Sequence, residues 1–136
     1  MPRCPARALL VVALLAGLTA CGGEDAQEVE GPVAAGVTPG DTLSGTLGGP
    51  DKPDAFEIGL TDAAGATVTT VPAGDYTIVV NDDSRIHNWV LSGDGVDAAT
   101  DVTGTGEMTF EVTLKAGTYT YVCDPHPSMN GSLTVT

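Results

Sequence analysis

The stretch CDPHPSM, residues 123 to 129, places a thiol, an imidazole and a thioether within a few positions of one another near the end of the chain. The chain has only two histidines, and the other, His87, lies upstream in RIHNWVL. One thiolate and two imidazoles in a trigonal array, with a weak axial thioether, form a donor set that suits copper. The sulfurs favour Cu(I) and the imidazoles serve both oxidation states, so the candidate ligands of one copper ion are His87, Cys123, His126 and Met129. Zinc fits less well: it asks for four strong donors, usually with more than one cysteine, and Asp124 is the one acid close at hand. A Cys123–His126 nucleophile pair is chemically sound, but it leaves His87 and Met129 without a role.

Such a constellation needs a rigid frame. From about Asp51 the chain breaks into short β-rich runs: FEIGL, ATVTTV, YTIVV, RIHNWVL, MTFEVTL, GTYTYVC and GSLTVT. PAGD, NDDS, SGDG and KAG punctuate them as turns, and no segment carries helical periodicity. The pattern predicts an all-β, two-sheet sandwich of about seven to eight strands. Strand parity puts Tyr119, Tyr121 and Cys123 on one face, with Cys123 pointing inward at the end of the domain, and Thr118, Thr120 and Val122 on the other. Trp89 reads as core packing. Pro125 and Pro127 flank His126, fix φ and remove two N–H donors, which stiffens the loop and limits the hydrogen bonds that can reach the thiolate.

The rest of the chain concerns where the domain sits. MPRCPAR followed by the apolar run Ala8 to Leu18 has the layout of a signal peptide, and the run is short for a membrane span of about 20 residues. It ends in LTAC, which resembles the lipobox of bacterial lipoproteins; the resemblance implies a signal over 1–20 and a lipid on Cys21. Cys4 leaves with such a signal and Cys21 is blocked, so Cys123 stands alone and no disulfide scaffold is expected. The segment 21–50 is expected to be the lipidated cysteine and a flexible acidic tether, most plainly over Gly22 to Asp41, with the folded domain over 51–136. The formal net charge of the whole chain is −13, and beyond residue 20 three cations (Lys52, Arg85, Lys115) face all 18 acids. A surface of that sign repels phosphate backbones, which argues against a nucleic-acid partner.

The pattern SRIHNWVLSGDGV…LKAGTYTYVCDPHPSMNGSLTV resembles the cupredoxins, over about Ala66 to Thr136, and HN…CDPHPSM is similar to the amicyanin and plastocyanin branch. The two residues between His126 and Met129 match the short amicyanin loop better than the longer plastocyanin loop. The resemblance implies a Greek-key β-sandwich that binds one copper ion and shuttles single electrons between redox partner proteins. It implies no catalysis of its own, a monomer, and a location outside the cytoplasm. It also implies a supporting role for Asn88, the polar residue that pins the ligand loops together. An extracytoplasmic lipoprotein that buffers or delivers copper is the alternative. A non-redox module on the same scaffold would be expected to have lost ligands.

Overall fold

Period-two alternation decides which side chains this molecule buries. Along Gly74–Asp82, Tyr76, Ile78, Val80 and Asp82 turn inward while their neighbours face outward or sit at the margin. Successive side chains leave opposite faces of a strand, so the sequence DYTIVVND writes its own inner face. The computed structural model describes residues 36–136, and among these it contains nine strands and no helix. They are β1 (Thr42–Leu47), β2 (Ile58–Thr61), β3 (Thr70–Val71), β4 (Gly74–Asp82), β5 (Val90–Gly93), β6 (Val96–Ala99), β7 (Gly106–Leu114), β8 (Gly117–Val122) and β9 (Asn130–Val135).

Two sheets form the sandwich, ordered β2-β1-β4-β7 and β3-β9-β8-β5-β6. Most pairs are antiparallel; β1 with β4 and β3 with β9 are parallel. The inner faces share one core that includes Leu43, Leu60, Ile78, Val80, Trp89, Leu91, Tyr119, Tyr121 and Leu133. Trp89 is wholly buried, donates its indole N–H to the Gly59 carbonyl at 3.0 Å, and lies nearly parallel to Tyr121 with 6.1 Å between ring centroids. That packing requires glycine at two places. A Cβ on Gly45 would come within 2.8 Å of Trp89 and of Val80, and one on Gly131 would run into the Tyr121 ring.

The all-β sandwich expected from the sequence is the fold found. Seven strands coincide with the seven β-rich runs, although several are shorter. β5 starts only at Val90, and β2 starts at Ile58, so Phe56 precedes the strand instead of opening it. The remaining two, β1 and β6, were not anticipated. β6 follows the two-residue turn Asp94–Gly95, a strong hairpin signal, but VDAA itself holds a single β-branched residue.

β1 corrects the domain boundary. The segment 21–50 was expected to be tether, yet Thr42–Leu47 lies between β2 and β4 with Leu43 wholly buried. Val37 packs on the core, Gly40 N–H donates to the Asp75 carbonyl at 2.7 Å, and Thr38 N–H is capped by the Asp41 carboxylate at 2.7 Å. The folded part therefore includes 36–50. Gly, Ser and Thr make TLSGTL look unstructured, but its two leucines, Leu43 and Leu47, each find the core because β1 is flanked on both sides. The signal over 1–20, Cys21 and the first part of the tether lie outside the described residues.

Candidate metal centre

Three side chains converge at one end of the sandwich. β8 runs Tyr119 and Tyr121 into the core, and the next inward position beyond its end is Cys123, which is 1% exposed. The chain then turns back at once. His126 N–H donates to the Cys123 carbonyl at 3.1 Å, Met129 N–H to the His126 carbonyl at 2.8 Å, and Cys123 N–H to the Met129 carbonyl at 3.0 Å. These three bonds close the loop upon itself before β9 begins at Asn130. The prolines flanking His126 take no part as donors, so the loop loses nothing by having them. Met129 is buried beneath the loop, and His126 is half-buried.

His87 comes from the segment between β4 and β5, and it is wholly buried. A polar network shapes that segment. The buried Asp82 carboxylate accepts from Ser84 N–H at 2.9 Å and from the Thr100 hydroxyl at 3.4 Å. The same hydroxyl accepts from Trp89 N–H at 2.8 Å. Ile86 N–H, one residue before His87, donates to the Ser84 hydroxyl at 3.1 Å. Asp82 thus anchors both flanks of the turn that carries His87. Burial pushes its carboxyl above the ordinary carboxylate range, and the bonds from Ser84 and Thr100 oppose that rise.

The donor atoms meet closely. Cys123 Sγ is 3.5 Å from His126 Nδ1 and 3.7 Å from His87 Nδ1, and the two Nδ1 atoms are 2.9 Å apart. All three donors fall within 4.8 Å of one another, the spacing a single ion could bridge. One soft thiolate and two imidazoles, gathered in a largely buried pocket, fit copper by donor chemistry.

Asn88 and Asp124 join the two ligand segments directly. Asn88 Nδ2 donates to Asp124 Oδ2 and Asp124 N–H donates to Asn88 Oδ1, both at 2.8 Å. Each residue is next to a ligand candidate, His87 and Cys123 respectively, so this reciprocal pair fixes their separation. It also occupies Asp124, the acid that a zinc reading would have needed.

Sequence reasoning missed Phe56. It lies on the loop between β1 and β2, and its ring packs edge-to-face on His126 with centroids 4.7 Å apart and on His87 with centroids 5.4 Å apart. Read as the start of a strand, it showed no sign of reaching residues 31 and 70 positions away. Asp54 and Ser84 were missed for the same reason: their hydrogen bond links two loops far apart in sequence.

A sandwich of two mixed sheets that gathers a thiol and two imidazoles at one end defines a small copper protein of the cupredoxin class. The family comparison agrees: residues 65–136 match the model described as copper binding proteins, plastocyanin/azurin family, and the chain belongs to that family. Its cofactor is one copper ion. Among solved structures, a rusticyanin described as a copper protein is similar at 20% identity and a TM-score of 0.51, over 76% of this chain and 81% of that one. Reduced rusticyanin gives 21% identity and a TM-score of 0.50, over 79% and 89%. A methionine-to-glutamine mutant of rusticyanin gives 21% and 0.51, over 76% and 81%. At these identities the likeness shows the fold alone. No curated protein matched the chain in sequence.

Proposed function

We propose that this protein is a mononuclear type 1 (blue) copper protein that passes single electrons between redox partner proteins outside the cytoplasm, and that it is not itself an enzyme. The observation that carries the reading is the preassembled donor set: Cys123 Sγ and the Nδ1 atoms of His87 and His126 already converge within 4.8 Å. Met129, which the loop buries, would hold the ion as a weaker thioether donor. Bound there, copper supplies a one-electron couple between Cu(I) and Cu(II).

The residues around the donors do the rest. The Asn88–Asp124 pair and the self-closed 123–129 loop hold sulfur and nitrogens in place, so little protein motion accompanies a change of charge. Burial of Cys123, His87 and Met129 keeps water from the thiolate, and half-buried His126 is the edge through which a partner couples to the centre. The N-terminal apolar run and LTAC support export and lipid anchoring at Cys21, with the domain held off a bacterial membrane by the acidic segment that precedes it.

A visible spectrum and redox titration of the copper-loaded protein test this reading. Intense sulfur-to-copper charge-transfer absorption with a reversible one-electron couple is expected. Electron exchange with a small redox protein should take milliseconds, while Cu(I) should resist a chelator for hours. Rapid copper loss with sluggish electron exchange would instead make copper delivery the function. Release from the membrane fraction by Cys21→Ala tests the anchor.

A further inference from the structure

Histidine ligands ordinarily donate their second ring N–H to a carboxylate, a carbonyl or water, and that bond fixes the ring. His87 has no such partner among the described residues: its Nε2 is buried and unpaired. Something else must orient the ring. The group in place is Phe56, which makes an edge-to-face triangle with both imidazoles, all three ring pairs having centroids 4.7 to 5.4 Å apart. Edge-to-face aromatic pairs carry a directional attraction beyond that of the area they bury.

Phe56 is also poorly placed by any criterion other than this one. It is 61% exposed, the most exposed of the large apolar side chains in the described residues. Its loop is held at a defined height by one long-range bond, from the Ser84 hydroxyl to Asp54 Oδ1 at 2.8 Å. Ser84 is the same residue whose hydroxyl receives Ile86 N–H, immediately before His87. A single hydroxyl therefore sets the position of the cap and of the ligand segment relative to each other.

Starting from the copper reading, we propose that Phe56 is a positioning residue for His87 and His126, a cap that takes the place of the missing hydrogen bond on His87, and that the Asp54–Ser84 bond latches it over the centre. Phe56 packs on the rings of both histidines, so it acts through the imidazoles. With the cap gone, the imidazoles gain freedom and the route to Cys123 opens.

The test uses the full-length chain and four variants: Phe56→Ala, Asp54→Ala, Asp54→Asn and the Phe56→Ala/Asp54→Ala double. Asp54→Ala cuts the latch yet leaves Ser84 free to receive Ile86 N–H, whereas Asn keeps an oxygen that can accept from Ser84. Two readouts are taken: alkylation of Cys123 by iodoacetamide in the metal-free protein, followed on its peptide by mass spectrometry, and copper release to a Cu(I) chelator. Phe56→Ala is expected to accelerate both by about five- to thirty-fold, the range that a loss of one or two kcal/mol produces. Asp54→Ala should move both in the same direction, the double variant should exceed Phe56→Ala by nothing measurable, and Asp54→Asn should match the wild type. Wild-type alkylation rates in Phe56→Ala would overturn the cap. Additive effects, or an Asp54→Asn variant that behaves like Asp54→Ala, would overturn the latch. Failure of the wild type to take up copper would overturn the copper reading by itself, and the alkylation rates would still decide the cap.

Discussion

Two loops meet over the metal end of the sandwich, and they are built differently. The 123–129 loop closes on itself through three backbone bonds, buries both of its sulfurs, and is tied to the His87 segment by a reciprocal pair of 2.8 Å bonds. The loop from Gly48 to Glu57 also closes its own backbone, Gly48 N–H donating to the Glu57 carbonyl at 2.9 Å, but a single side-chain bond ties it to the rest of the site. Its key side chain faces solvent. The first loop supplies donors whose placement must be exact to a fraction of a bond length, and the second supplies cover. Function thus sets the density of constraint: redundancy where atoms bind, one latch where a ring shields.

The sharpest way to break the comparison is Cys123→Ser. A hydroxyl in place of the thiolate removes the sulfur-to-copper transition altogether, so the visible band should vanish, while urea unfolding of the metal-free domain should change little. A variant that stays blue would refute Cys123 as the ligand.

Next comes Asn88→Ala, which deletes both bonds to Asp124. It should lower the unfolding free energy of the metal-free protein by about 1–3 kcal/mol, as expected when a part-buried polar pair loses one member. Asp54→Ala cuts only one bond and should cost about 0.5–1.5 kcal/mol. If the order were reversed in denaturant unfolding, the ligand loop would not be the more heavily constrained of the two.

Met129→Leu probes the same loop more gently. The swap conserves volume and should change stability by less than about 1.5 kcal/mol. The colour should remain and the potential should rise if Met129 donates to the ion, because Cu(II) would then lose a soft thioether donor. An unchanged potential in a redox titration would mean that Met129 only packs.

The smallest effect expected is from Asp82→Asn, on the segment shared by both loops. The folded-state pKa of Asp82 is raised by burial, so the folded protein holds this proton to higher pH than the unfolded chain does. Stability associated with the protonated form is therefore present at low pH and lost as pH rises through the carboxylate range toward the raised value. Asparagine carries no such titration. The metal-free variant should gain stability relative to the wild type as pH rises over that window, in thermal unfolding measured at several pH values; a parallel pH dependence in both proteins would refute it.

The donors were legible in the sequence because their chemistry is scarce. With two histidines and one cysteine in the domain, spacing alone nearly determines which residues can meet, and parity along GTYTYVC points Cys123 inward. The sandwich was legible from the alternation of the same strands. β1 was not, because Gly and Thr in TLSGTL carry little apolar weight and its burial depends on neighbours on both sides. Phe56 was not, because nothing local distinguishes a capping phenylalanine from one that opens a strand. The Asn88–Asp124 pair was half legible: the sequence pointed to Asn88 as a pin, but only the fold supplies the residue it pins.

The last strand has a consequence in time. β9 enters the second sheet between β3 and β8, parallel to one and antiparallel to the other, and the 123–129 loop hangs between β8 and β9. Until β9 docks, Cys123 N–H and the Met129 carbonyl have no fixed partner in each other, and the loop is held only at its Cys123 end, through β8 and the Asn88–Asp124 pair. Pairings between segments distant in sequence form late, because the cost of closing the intervening chain precedes the gain. The parallel pairing of Thr70 and Val71 with Thr134 and Val135 joins segments far apart in sequence, whereas β8 and β9 flank the loop directly, so the frame of the metal-binding end is expected to pair before the edge strand β3 closes the sheet.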